Sequence, residues 1–164
     1  MSKIFLIGFM GVGKTTVGKI LAQKLNCDFM DPDDKEHWVK RGFPKGLPKV
    51  LPHTEKYYDV QTEILVDFIK DNDTDFVYST DGSIVLRDEN INMMKSNGKI
   101  IYLSSDAETL WNRISIQQGQ TFSLEVIRKN IKSRERKYKI ADFEIDTSDK
   151  SVEETCSSII SEFF

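Results

Sequence analysis

Cysteine is scarce in this sequence: Cys27 and Cys156 are the two, and they form neither a metal-ligand spacing nor a disulfide framework. A reducing, cytoplasmic compartment is the expectation. Long apolar runs are absent too. No stretch approaches the roughly 20 residues of a membrane span, and Ile4-Phe5-Leu6-Ile7 is too short for the core of a secretion signal and runs straight into glycine. Charge of one sign is not in excess. A net charge of −3 gives no general attraction to nucleic acid or to an anionic membrane, so neither is expected as a partner. Repeats, linkers and low-complexity tracts are missing as well. Proline is sparse, and three of the four prolines fall between Gly42 and Pro52, which reads as an ordered excursion. With 164 residues, 39% hydrophobic and 30% charged, the chain suits one globular domain spanning residues 1–164.

Strand and helix patterns alternate. Lys3 to Ile7 is a continuous apolar run ending at Gly8, as in a strand buried on both faces. Val17, Ile20, Leu21 and Leu25 follow at helical spacing, then a short strand from Asp28 to Met30. Tyr57, Ile64, Leu65 and Phe68 mark a helix before the strand Phe76 to Ser79. Lys99 to Leu103 reads as another strand, followed by a capping box at Ser105 and Glu108 and a helix carrying Leu110, Trp111 and Ile114. Leu124, Ile127, Ile131 and Tyr138 suit a further helix, Phe143 to Ile145 a last strand, and Ser151 with Glu154 caps a closing helix. This order predicts an α/β fold with a five-stranded parallel sheet covered by helices on both faces. Ligands of such folds bind at the carboxyl ends of the strands.

"GFMGVGKTT", Gly8 to Thr16, satisfies G-x-x-x-x-G-K-[ST] and stands between a strand and a helix, where its mechanism requires it. Gly8, Gly11, Val12 and Gly13 would turn backbone N–H groups on phosphate oxygens, helped by the N-terminus of the next helix, with Thr16 beside them. Lys14 would neutralise the β- and γ-phosphates, and the Thr15 hydroxyl would bind Mg²⁺. ATP and Mg²⁺ are therefore the expected cofactors. A guanine-reading Asn-Lys-x-Asp is absent, which argues against a GTPase, and the chain is short for a motor or transporter ATPase. A small kinase remains.

From that point the sequence resembles the shikimate kinases along nearly its whole length. "IFLIGFMGVGKTTVGKILAQKL" is close to the family's opening, and "DPD", Asp31 to Asp33, matches its D-x-D. "STDGSIVLRDEN" lies over T-G-G-G-x-V-L-R-x-E-N, "ETLWNRI" is similar to the stretch after the fourth strand, and "RERKYKIADFEIDTS" to R-x-P-x-Y…A-D…D-T. The resemblance implies a three-layer P-loop fold, a substrate-binding insertion near residues 33–70 and a lid near 115–124. It implies that Asp31 holds Mg²⁺ through water, that Asp33 orients the acceptor hydroxyl and takes its proton, that Arg113 packs on adenine, and that Arg134 helps clamp the substrate carboxylate. It implies a small-molecule acceptor, and a monomer is expected.

Three blocks depart from the family. In "EKYYD" Asp59 stands where the family has a carboxylate-binding arginine, and no arginine occurs between Arg41 and Arg87. In the lid Thr121 occupies the place of an arginine that reaches the transferring phosphoryl group, and no cation occurs from Ile114 to Ile127. In the glycine loop Asp81 and Ser83 replace two glycines and leave Gly82. Asp33, Asp59, Asp81, Gly82 and Arg134 are thus the expected acceptor-binding set. Three readings follow: a working kinase for shikimate or a diverged hydroxyl compound, a nucleotide-binding homologue that no longer catalyses, and a nucleoside monophosphate kinase, suggested by "DGSIVLR" but at the wrong spacing.

Overall fold

The computed structural model of the protein describes residues 2–47, 54–119 and 122–163. Its strands are β1 (Lys3–Ile7), β2 (Asp28–Met30), β3 (Phe76–Ser79), β4 (Lys99–Ser104) and β5 (Phe143–Asp146). All pair in parallel in the order β2-β3-β1-β4-β5, so β1 is central, with Phe5 opposite Tyr78 on one side and Ile100 on the other. The helices are α1 (Lys14–Leu25), α2 (Lys35–Val39), α3 (Glu55–Asp71), α4 (Asp88–Asn97), α5 (Ala107–Gln118), α6 (Leu124–Tyr138) and α7 (Val152–Phe163). The expected five-stranded α/β sandwich is observed.

The pleat explains why the central strands read as unbroken apolar runs. Ile4 and Leu6 face a core shared with Val17 and Leu21 of α1, Leu110 and Ile114 of α5, and Ile159 of α7. Phe5 and Ile7 face the opposite core, shared with Trp38 of α2, Ile64 and Leu65 of α3, and Met94 of α4. Alternate side chains enter different layers and both layers are built of buried apolar and aromatic side chains, so charged residues have no place in either set. Each fully buried side chain of this kind contributes about 1.5–3 kcal/mol.

Two caps behave differently. Ser151 and Glu154 form the reciprocal box ahead of α7: Ser151 N donates to Glu154 Oε2 at 2.8 Å and Glu154 N to Ser151 Oγ at 3.2 Å. The box expected at Ser105 and Glu108 is not formed. Asp106 caps α5 by accepting from Thr109 N at 2.7 Å, Ser105 Oγ lies 3.3 Å from Ser148 Oγ, and Glu108 pairs with Arg128. Two good N-cap residues stand side by side here, and the longer acid reaches the first turn.

Strand order positions the site. Because β3 lies between β2 and β1, the loops leaving the carboxyl ends of these three strands are neighbours. They carry Gly8 to Gly13, Asp31 to Asp33, and Thr80 to Ser83. No helix among the described residues is long and apolar enough to cross a membrane.

Candidate active site

The loop after β1 wraps a cleft of about 260 Å³ lined by Gly11, Gly13, Lys14, Thr15 and Thr16, with Asp31, Asp33, Ser79 and Asp81 opposite. Gly8 has φ 150°, and a Cβ there would lie 2.4 Å from Leu103 O, so the loop passes too close to β4 for any side chain. Gly13 has φ 103° immediately before α1, a backbone position that turns the chain into the helix and that L side chains rarely adopt. Thr16 is exposed on this wall. Val12 contributes no side chain to it: the residue is buried in the core and its N–H donates to Phe9 O at 3.3 Å.

Lys14 is almost fully buried, and Nζ donates to Gly8 O at 2.8 Å and Phe9 O at 3.1 Å. Burial lowers its pKa to about 8, against the opposing pull of Asp81, Asp33 and Asp31. An anion in the cleft would restore the charged form. Thr15 Oγ1 donates to Asp31 Oδ2 at 2.8 Å and lies 3.4 Å from Ser79 Oγ. A hydroxyl and one carboxylate are hard oxygen donors, few in number, which suits Mg²⁺ completed by water and phosphate. Among the described residues no group of three or more His, Cys, Asp or Glu is placed to hold a metal ion by itself.

Asp33 sits where this cleft meets a second cavity of about 350 Å³, and Asp81 and Gly82 share that boundary. Asp33 is not a helix cap, since Asp34 precedes α2 and makes no side-chain cap bond. Its backbone N–H donates to Asp31 Oδ1 at 3.0 Å, and Gln61 Nε2 donates to its Oδ1 at 3.2 Å. Solvent reaches the carboxyl through the cleft, yet desolvation raises its pKa to about 6, reinforced by the charges of Asp81 and Asp31.

The second cavity has an apolar side, including Phe9, Met10, Leu47, Phe122 and Val126, and a polar side with Asp33, Tyr57, Asp81, Asn130 and Arg134. Asp81 is fixed from two directions. Tyr57 Oη donates to Oδ1 at 2.9 Å, Ser83 N donates to Oδ2 at 2.7 Å, and Ser83 Oγ bonds the same oxygen. Burial, then the charges of Asp81 and Asp33, push the Tyr57 phenol far up, so it remains a donor. Arg134 Nη1 donates to Gly82 O at 3.2 Å, and the guanidinium lies 5.5 Å from the Phe9 ring centre. Tyr138 Oη donates to the same Gly82 carbonyl at 2.8 Å.

One sequence expectation is corrected. Asp59 does not line the cavity; it is exposed on the outer face of α3 and pairs with Arg87 at 2.7 Å, which also holds Glu55 at 3.0 Å. Arg113 lines neither space; its guanidinium donates to Thr147 Oγ1 at 3.2 Å and Thr147 O at 2.9 Å, in the loop after β5. Thr121 and the prolines Pro48 and Pro52 lie outside the described residues. Three site residues went unread. Trp38 Nε1 donates to Pro32 O at 2.9 Å, between the two acids, and its ring stacks on Tyr57 at 5.6 Å. Gln61 bridges Asp33 and, at 3.1 Å, Tyr57 Oη. The signal for Tyr57 and Gln61 was their i, i+4 spacing on the buried face of α3.

Comparison with known proteins identifies the family and the fold. The sequence matches the shikimate kinase family model over residues 10–163. The shikimate kinase of Caldicellulosiruptor bescii is 34% identical over an alignment covering 98% of this chain and 95% of the relative. That of Pelotomaculum thermopropionicum is 30% identical, covering 98% and 94%. Among solved structures, shikimate kinase from Aquifex aeolicus has a TM-score of 0.80 at 29% identity, covering 97% of this chain and 94% of its own. Shikimate kinase from Acinetobacter baumannii, in complex with shikimate, shares the fold with a TM-score of 0.84 at 24% identity, covering 99% and 92%.

Proposed function

Because this chain belongs to the shikimate kinase family of ATP-dependent kinases, we propose that it transfers the terminal phosphoryl group of ATP to a hydroxyl of a small molecule. Its acceptor recognition differs from that of the family, so that shikimate is phosphorylated slowly. It acts as a cytoplasmic monomer, without nucleic acid or membrane. The observation that carries the reading is the position of Asp33: at the boundary of the phosphate cleft and the acceptor cavity, hydrogen-bonded by Gln61, and free of any capping duty.

Phosphoryl transfer is largely a matter of positioning and charge. When bound, MgATP supplies the phosphoryl group and a divalent charge. Gly8 to Gly13 and the N-terminus of α1 would receive the phosphates, Lys14 would leave the Gly8 and Phe9 carbonyls for them, and Thr15 with Asp31 would hold the metal side. Asp33 would align the acceptor oxygen and accept its proton as the new O–P bond forms. The apolar wall of the second cavity would exclude water, which would otherwise compete as acceptor.

The test is ADP release with shikimate and with a panel of hydroxylated acids, polyols and amines, for the natural protein and for Asp33→Asn. The reading requires one compound to stimulate turnover and the variant to lose it. Tight MgADP binding with no stimulation by any compound would instead favour a nucleotide-binding homologue.

A further inference from the structure

Resting on that reading of the second cavity as the acceptor site, we propose that the acceptor is a small amino alcohol whose protonated amine is received by Asp81 beside the hydroxyl presented to Asp33. Asp81 stands on the wall common to both spaces. An acid intruding on a phosphate site would be expected to swing away, but this one is held in place. Tyr57 binds one oxygen and Ser83 the other, and Tyr57 is itself stacked on the fully buried Trp38. A carboxylate offers about four lone-pair sites. The Tyr57 and Ser83 bonds use three of them, which leaves one on Oδ1.

The charge balance agrees. Among the described residues lining the acceptor cavity, Asp33 and Asp81 are acidic and Arg134 is the one cation, a formal balance of −1. Arg134 already donates to the Gly82 carbonyl and lies over Phe9. Asp59 is withdrawn to Arg87 and adds nothing to this balance; with Asp33 matched by Arg134, Asp81 is the acid left over. Lys14 lies near both acids but belongs to the phosphates once they arrive, and these bring further negative charge. A carboxylate-bearing acceptor would add to the repulsion, whereas an ammonium group would relieve it and could form a charge-assisted hydrogen bond with Asp81. The apolar side, with Phe9, Met10, Leu47 and Phe122, would cover the hydrocarbon part of the molecule.

The experiment is a ligand-observed NMR titration of the full chain saturated with MgADP. The probes share one ring and one hydroxyl: trans-2-aminocyclohexanol, cyclohexane-1,2-diol and 2-hydroxycyclohexanecarboxylate, with charges of +1, 0 and −1. The natural protein should bind the amine at least about tenfold more tightly than the carboxylate, a difference of about 1.4 kcal/mol, with the diol between. Asp81→Asn keeps the shape and should shrink that preference by about tenfold. Tyr57→Phe, which frees one side of Asp81, should shrink it in part and serves if Asp81→Asn does not fold. An unchanged preference in these variants overturns the inference, as does tightest binding of the carboxylate, or failure of all three probes while MgADP binds. Failure of MgADP itself to bind would overturn the kinase reading instead.

Discussion

The two halves of the cleft were built under different constraints. In the phosphate half, backbone geometry does most of the work: glycine positions that leave no room for a Cβ, a helix N-terminus, one lysine and one hydroxyl. On the proposed reading these parts would receive a polyphosphate common to many enzymes, and they are all present. The acceptor half, on the proposed reading, is lined by side chains of α3, α6 and the loop after β3, and it includes Asp81 and Ser83, the two residues expected to depart from the family's glycines. A backbone cradle tolerates little change in sequence. A side-chain pocket can change its charge by one substitution and keep its shape.

The largest expected effect lies in the phosphate half. Lys14→Ala should abolish MgADP binding or weaken it at least about 100-fold by calorimetry, because among the described residues no other cation lines the cleft where the phosphates would sit. Equal affinity would remove the distinction between the two halves. Next, Asp33→Asn should lower turnover about 100-fold or more while leaving MgADP affinity within about threefold. Steady-state kinetics with the active acceptor and calorimetry together decide it, and loss of both would place Asp33 with the phosphate half.

A pH profile sharpens the same point. Asp33 must be ionised to take a proton, and its pKa is raised to about 6. Activity should therefore be full above that value and fall about tenfold per unit below it, two units earlier than for an ordinary carboxylate. A limb near pH 4 would show that the Asp33 carboxyl is not held above the ordinary carboxylate range in the working site. Smaller again, Asp81→Gly should raise kcat/KM for shikimate about tenfold by removing repulsion within the acceptor half. The smallest effect belongs to Asp59→Ala. That residue pairs with Arg87 on the outer surface, so kcat/KM should change less than about twofold, and urea unfolding should show a loss under about 1 kcal/mol. A large kinetic effect would return Asp59 to the pocket.

The same contrast explains what was legible in the sequence. The phosphate loop could be read because its residues are contiguous and each spacing has a backbone reason. The strands could be read because both faces are buried. α4 was not foreseen, since Asp88–Asn97 carries few apolar residues beyond Ile91 and Met94. Asp59 was misplaced although helical geometry held the answer: two residues after Tyr57 it is turned about 200° around α3, away from the face that holds Tyr57 and Gln61. The meeting of Arg113 with Thr147, 34 residues on, could not be read, because nothing local indicates that contact. Trp38, Tyr57, Gln61 and Asp81 form one polar assembly from three separate segments, and no linear spacing announces such a meeting.

The two tryptophans divide along the same line. Trp38 is fully buried under the Asp31–Asp33 turn, and Trp111 is half-buried on α5, where its indole N–H donates at 3.0 Å to the carbonyl of Phe122, a residue of the acceptor-cavity wall. The molecule thus carries two intrinsic fluorophores in unlike surroundings: the buried Trp38 should emit to the blue and Trp111, at the edge of the second cavity, further to the red. With Trp38 replaced by Phe, the remaining emission would report ligand arrival through Trp111 alone, and acceptor binding could be followed optically without any turnover.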